Sequence, residues 1–273
     1  MRGTLYIVAT PIGNLEDITL RALRVLREAD LIACEDTRQT RKLLDHFAIA
    51  RPAVSYHQHN ETRRTAEIVR KLESGAKVAL VSDAGTPLVS DPGYRVVAAA
   101  IAAGLPVVPV PGPCAAIGAL AAAGLPTDSF RFCGFLPPKS SQRRKLLEEF
   151  RQESATLIFY EAPHRVLDAL ADIATVCGDR AVVVARELTK LHEEFLRGTP
   201  GSVRAQLASR TAVKGEITLL IGKPDPTPSL DPTPLEEAVH ALEQQGVPRM
   251  EAIKQVARAH GLPKHDVYRR LTS

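Results

Sequence analysis

Four short apolar runs, each ending in a turn rich in glycine or proline, constrain this chain more than anything else in it. Leu5-Tyr6-Ile7-Val8 leads into Ala9-Thr10-Pro11-Ile12-Gly13-Asn14, and Val78-Ala79-Leu80-Val81 into Ser82-Asp83-Ala84-Gly85-Thr86-Pro87. Val107 to Val110 leads into Pro111-Gly112-Pro113-Cys114-Ala115-Ala116, and Thr156-Leu157-Ile158-Phe159 into Tyr160-Glu161-Ala162-Pro163-His164-Arg165. Such runs of Val, Ile and Leu read as parallel strands buried on both faces. In open α/β sheets a ligand sits beyond the carboxyl ends of the strands. Glycine lacks a Cβ and proline fixes φ, so turns of this kind let a ligand meet bare backbone. The pattern predicts one small-molecule pocket.

Up to residue 113 strands and helices alternate. Leu5–Ala9 reads as a strand, Asp17–Ala29 as a helix, Leu31–Cys34 as a strand, Thr37–His46 as a helix and Val54–His57 as extended. A helix over Glu61–Glu73, with Asn60 as N-cap and Gly75 as its stop, precedes a strand at Lys77–Ser82. Tyr94–Ala103 is a helix closed by Gly104, and Pro106–Val110 a fifth strand. Alternation of this kind implies βαβ units and a parallel sheet, an α/β domain over residues 1–113.

Pro111-Gly112-Pro113 predicts a hinge into a second α/β domain, residues 114–224, opening with a helix at Ala115–Ala123. That half carries a basic helix at Lys139–Arg151 and strands at Thr156–Tyr160 and Ala181–Ala185. Antiparallel strands at Glu194–Arg197 and Glu216–Ile221 flank a helix near Val203–Ser209, so the second sheet should be mixed. Residues 225–232 form a proline-rich, semi-rigid linker. Residues 233–273 read as a helical module, with Thr233-Pro234-Leu235-Glu236 as a capping box. Gly246 ends its first helix, Pro248–His260 is its second, and Gly261 turns into a third bearing Lys264, His265, Tyr268, Arg269 and Arg270. The spacing of Ala252, Ile253, Val256, Ala257, Val267 and Leu271 resembles a helix-turn-helix; the alternative is a small helical cap on the body.

A length of 273 residues suits two domains and an appendage, and 45% hydrophobic with 24% charged residues suits a soluble globular protein. The N-terminal apolar run is too soon broken by Pro11, Asn14, Glu16 and Asp17 for a signal peptide, and no run approaches a membrane span. Cys34, Cys114, Cys133 and Cys177 are scattered without C-x-x-C or His-flanked pairs, which predicts reduced thiols in the cytoplasm and no bound metal. Aromatics at 4%, with no Trp, argue against binding by base stacking. From Val247 to Ser273 six basic residues face two acidic ones, an excess equal to the +4 of the whole chain. Charge concentrated at one end suggests a polyanionic partner.

The turns exclude several chemistries. There is no G-x-G-x-x-G, no G-x-x-x-x-G-K-[ST] and no G-x-S-x-G, which disfavours a dinucleotide site, a P-loop and a nucleophile elbow. His57 and His59 read as solvated residues near a loop. Asp83 and Asp91 frame Ala84–Ser90, a stretch that alone would be an ordinary turn. Beside the other strand-end turns it favours a pocket.

Seven stretches together carry a resemblance: Leu5–Leu15, Glu35-Asp36-Thr37-Arg38, Ser82–Gly93, Pro111–Ala116, Phe159–Arg165, Ala185–Lys190 and Lys214-Gly215-Glu216-Ile217. The chain resembles the tetrapyrrole-methylase superfamily over nearly its whole length, tail included. That resemblance implies two α/β domains with S-adenosyl-L-methionine between them. The nearest branch implies a homodimer that methylates the ribose 2′-OH of a cytidine in the decoding region of 16S, small-subunit, ribosomal RNA. The rivals are a methylase of the same fold acting on a precorrin-like tetrapyrrole, and a non-enzymatic RNA-binding protein.

Carried over, the cofactor should meet Pro11, Ile12 and Gly13, its amino-acid part the Asp83–Val89 loop with Gly85, Thr86 and Pro87, and beyond these Cys114, Ala115 and Ile217. The chain departs from the tetrapyrrole-modifying members in two places. Gly85-Thr86-Pro87 stands where they usually have Gly-Asp-Pro, and Pro11 where they have a glycine. A ribose hydroxyl is a weak nucleophile, so a base would help. Glu35, Asp36, Glu161 and Glu187 lie at strand ends, with ion pairs to Arg38, Arg165 and Arg186 as their alternative role. Glu187 and Glu35 are the preferred bases. Arg38 and Arg165 are candidates to clamp phosphate bidentately, and Lys139, Arg143, Arg144, Lys264, Arg269 and Arg270 to bind RNA.

Overall fold

The computed structural model describes residues 2–224, 234–260 and 262–272. The linker expected at 225–232, the capping role of Thr233 and the helix stop at Gly261 lie outside the described residues. The chain divides into two compact units, Met1–Lys223 and Pro224–Ser273.

The first unit holds two five-stranded sheets. In the first, β1 (Thr4–Val8), β2 (Leu31–Cys34), β3 (Ala53–Ser55), β4 (Lys77–Val81) and β5 (Val107–Val110) run parallel in the order β3-β2-β4-β1-β5. Alternate residues of these short strands feed two cores. Val8, Ile32, Cys34, Ala79 and Val81 pack under α1 (Leu20–Glu28) and α2 (Thr37–His46). Leu5, Leu31, Ala33, Val78 and Leu80 pack under α3 (Glu61–Glu73) and α4 (Tyr94–Ala102). Burial on both faces is why the strands carry no polar alternation.

The second sheet, in the order β6-β7-β10-β8-β9, is mixed as expected. β6 (Phe130–Phe135) runs parallel to β7 (Thr156–Glu161). β10 (Ile217–Ile221) is antiparallel to both β7 and β8 (Val182–Arg186), and β9 (Glu194–Gly198) is antiparallel to β8. The Ala-rich α5 (Ala115–Ala123) packs Ala116, Ala119 and Leu120 on one face of this sheet. The other face is covered by α6 (Ser140–Glu149), α7 (Val166–Cys177) and α8 (Pro200–Ala208).

Several local expectations are corrected. The helix expected from Asp17 is a 3-10 turn over Leu15–Asp17, and α1 starts only after Thr19, whose side chain accepts from Ala22 N–H at 3.0 Å. Asn60 sits at the N-cap position of α3 without capping it. Its Oδ1 accepts from His57 N–H at 2.9 Å and its Nδ2 donates to Ser55 O at 3.1 Å, which ties the loop to β3. The four cysteines are free thiols. No helix among the described residues is long and apolar enough to cross a membrane.

The described residues of the second unit form three helices, α9 (Leu235–Gln244), α10 (Arg249–Ala259) and α11 (Lys264–Thr272). Its core holds Val239, Ala252, Ile253, Val256, Ala257 and Val267, with Leu271 partly buried against it. The basic excess belongs to α10 and α11, since α9 contributes Glu236, Glu237 and Glu243 and no lysine or arginine.

Candidate active site

A cavity of about 390 Å³ lies within the first unit, past the carboxyl ends of β1, β4 and β7. Its size is that of an ordinary small-ligand pocket. Ile12 enters from the loop after β1, Asp83–Thr86 and Val89–Asp91 from the loop after β4, and Ala115 from the start of α5. The second sheet contributes Phe135 at the end of β6, Tyr160–Pro163 at the end of β7, Leu188 after β8 and Gly215–Thr218 at the start of β10.

Backbone hydrogen bonds lock these loops together. Thr10 N–H donates to Gly85 O at 2.9 Å and Gly85 N–H to Thr10 O at 3.0 Å, a single antiparallel bridge between the β1 and β4 loops. Thr86 Oγ1 donates to Pro113 O at 3.0 Å, which joins the β4 loop to the β5 loop. The hydroxyl that replaces an acid is therefore a brace between turns. Asn14 N–H donates to Thr189 Oγ1 at 3.1 Å, joining the first turn to the turn after β8.

The same loops concentrate unusual backbone. Gly85 has φ +82°, and a Cβ there would lie 3.3 Å from Ile12 Cγ2. Of the five non-glycine residues with positive φ among those described, Leu88 and Ser90 lie in the β4 loop and Glu187 and Thr189 in the opposite one. Such conformations cost energy and collect at ligand sites.

Of the expected cofactor contacts, Ile12, Asp83, Gly85, Thr86, Val89, Ala115 and Ile217 line the cavity, while Pro11, Gly13, Pro87 and Cys114 do not. Gly13 has another reason to be glycine, because a Cβ there would lie 2.4 Å from Lys190 Cγ. Phe135, Tyr160, Ser90, Asp91, Leu188, Gly215 and Thr218 also line the cavity, beyond the contacts expected from sequence. Tyr160, Asp91 and Gly215 fall inside or beside the stretches that carry the family resemblance. Phe135 is on a strand that the apolar pattern did not reveal.

The electrostatics separate the carboxylates. Burial, then the nearby charges of Glu35 and Asp83, push Asp91 up to about 6, against a hydrogen bond from Ser82. Glu35 is raised by burial and by Asp83, and it does not line the cavity. Glu161 is buried, accepts from Ala162 N–H at 2.7 Å and pairs with Arg165, whose Nη2 lies 3.3 Å away; burial raises it. Glu187 pairs with Lys190 at 2.9 Å rather than with Arg186, which binds Glu194. Lys190 and the Glu216 N–H hold Glu187 below the usual carboxylate range. Asp36 is held at about 2 by Arg38, and its N–H donates to Asp83 Oδ1 at 3.0 Å.

The arginines also divide. Arg38 is exposed and folded back on Asp36 at 2.7 Å. Arg165 does not line the cavity itself; it is bonded to Glu161, which does, and to Leu136 O. Arg143 is 3% exposed and bonds Asp172 at 2.7 Å and Pro137 O at 3.2 Å, so it is a core brace and cannot meet RNA. Its place in a basic helix hid that role. Arg144 shares Asp172 at 2.6 Å but stays half exposed, and Lys139 is exposed at the start of α6. Lys264, Arg269 and Arg270 are exposed on α11 of the second unit.

Residues 4–203 match the family of Tetrapyrrole (Corrin/Porphyrin) Methylases. The chain belongs to the tetrapyrrole methylase family. Among its members, a protein of Halalkalibacterium halodurans called ribosomal RNA small subunit methyltransferase I is 52% identical, over 98% of this chain and 94% of that protein. A Synechocystis protein of the same name is 48% identical, over 97% and 96% respectively. A crystal structure of diphthine synthase shares the fold at 13% identity, with a TM-score of 0.63 over 81% of this chain and 90% of that one. The cavity lies past the carboxyl ends of the adjacent parallel strands β4 and β1, the usual side for a ligand in an open parallel sheet.

Proposed function

We propose that this protein transfers a methyl group from S-adenosyl-L-methionine to the ribose 2′-OH of a cytidine in the decoding region of small-subunit ribosomal RNA. The observation that carries the reading is likeness at about half identity over 98% of the chain, well beyond residue 203, to a protein named for ribosomal RNA methylation. A small tetrapyrrole would need neither that tail nor its basic helices.

The cavity suits the cofactor. Ile12, Val89, Ala115 and Ile217 offer apolar walls for an adenosyl group, Gly85 removes a side chain where backbone must come close, and the acidic Asp83 and Asp91 suit a cation. S-adenosyl-L-methionine supplies an already activated methyl on a sulfonium, so the protein's main task is alignment. Of the carboxylates, Asp91 is the one we assign to receive the ribose proton. It lines the cavity and its ionisation near 6 lies close to working pH. Glu187 is tied up by Lys190, and Glu35 does not line the cavity. On this reading the enzyme works in the cytoplasm beside its substrate, as a homodimer.

Purified protein is expected to retain S-adenosylmethionine by mass spectrometry and to methylate small subunits. A deletion strain should lose the primer-extension stop that a ribose 2′-O-methyl causes at low nucleotide concentration. Persistence of that stop would point to a different substrate.

A further inference from the structure

Composition argues against aromatic stacking in this chain, yet the fold gathers three of its few aromatic rings into one cluster, two of which, Tyr160 and Phe135, line the cavity. Tyr160 lies between Phe132, at 4.9 Å centroid to centroid and 63°, and Phe135, at 5.7 Å and 65°. Phe132 is partly buried in the core beneath, whereas Phe135 is 57% exposed although it lines the cavity. An exposed Phe at a cavity mouth costs solvation unless something covers it.

The segment that presents Phe135 is held firmly. Arg165, paired with Glu161, donates to Leu136 O, and Arg143, paired with Asp172, donates to Pro137 O at 3.2 Å and Pro138 O at 3.4 Å. Two internal ion pairs thus fix the backbone just after the ring. Four residues further on, Lys139 is exposed and carries no ion pair among the described residues. A flat apolar face beside the cavity, followed by a cation, complements a nucleotide with its base on the ring and its phosphate near the lysine.

We propose that Phe135, backed by Tyr160, is the stacking platform for the base of the acceptor nucleotide. The proposal rests on the ribosomal RNA reading above and adds the residue that positions the target. A base held out of its stack needs such a face, because unpairing and unstacking must be offset by contacts in the pocket.

The test compares Phe135→Ala, Phe135→Leu and Phe135→Tyr with the wild type, using purified small subunits and calorimetry with S-adenosylmethionine. Base–aromatic stacking of about 1–3 kcal/mol corresponds to a rise in KM for subunits on the order of ten-fold or more for the alanine variant. Leucine should fail nearly as badly and tyrosine should restore activity, while cofactor affinity and Tm stay within error. Leucine performing as well as phenylalanine would replace stacking with simple apolar packing. Parallel loss of cofactor affinity would assign the ring to the cofactor, and loss of self-association by light scattering would assign it to a contact between copies. A wild-type protein inactive on small subunits removes the parent reading and this proposal together. An active wild type with an unaffected alanine variant removes only the platform.

Discussion

At Gly85 the backbone has φ +82°, and a Cβ would lie 3.3 Å from Ile12 Cγ2 and 3.8 Å from Pro113 O. A β-branched residue there meets both a left-handed backbone, at a cost of about 1–2 kcal/mol, and the space between two loops of the cavity. Gly85→Val is therefore expected to abolish S-adenosylmethionine binding by calorimetry while the protein still unfolds cooperatively. Unchanged affinity in the folded variant would remove the cofactor from this loop. Asp91 gives a second residue-scale test. Its folded ionisation, near 6, is above that of a free aspartate, about 3.9. Between those values the native state holds the proton more tightly than the unfolded chain, so Asp91 makes stability fall as pH rises from about 4 through about 6. Glu35 and Asp83 face it with like charge, and Ser82 offers a partial remedy. Asp91→Asn should flatten the fall in Tm across that window and reduce methyl transfer at neutral pH. An identical Tm profile from pH 4 to 6 would contradict the shift.

Among the elements, α6 shows best how charge pattern misleads. Ser-Ser-Gln-Arg-Arg-Lys reads as a basic face, but its neighbour α7 supplies Asp172, which is 2% exposed and binds Arg143, Arg144 and Ser140. Removing one partner from a buried ion pair typically costs about 3–5 kcal/mol, because the other charge is left without compensation. Asp172→Ala is expected to lower Tm by several degrees in a thermal melt. Arg143 truncation should act on stability in the same direction, not on the salt dependence of RNA binding. A stable Asp172→Ala protein would mean the arginines find water instead. The sequence made α2 and α3 legible to the residue because polar and apolar positions alternate at helical spacing, with Asp36 ahead of α2 and Gly75 soon after α3 to punctuate them. It hid α7, whose Val166-Leu167-Asp168-Ala169-Leu170-Ala171 offers one polar residue in six, and β6, whose glycine bulge breaks the strand pattern between Phe132 and Phe135. The site was half legible for the same reason. Turns announce themselves through glycine and proline, whereas Phe135 reaches the cavity only by tertiary packing.

For the molecule as a whole, the two compact units suggest a division of labour. Every described residue lining the cavity lies in the first unit, and the basic excess of residues 247–273 lies on α10 and α11 of the second. The second unit has its own core around Val239, Ile253 and Val256. We therefore expect it to dock RNA while the first unit binds cofactor and performs transfer. Truncation after Pro226 should leave S-adenosylmethionine affinity nearly unchanged and sharply reduce methylation of small subunits. Lys264, Arg269 and Arg270 are the side chains to test by reversal to Glu. Each phosphate left without its cation flattens the dependence of log affinity on log salt by about 0.7 for single strands, so three should flatten it by about 2. The competing role is a cap on the catalytic unit. A cap would betray itself through aggregation or loss of cofactor binding in the truncated protein, and undiminished methylation by that protein would leave the tail with no part in substrate capture.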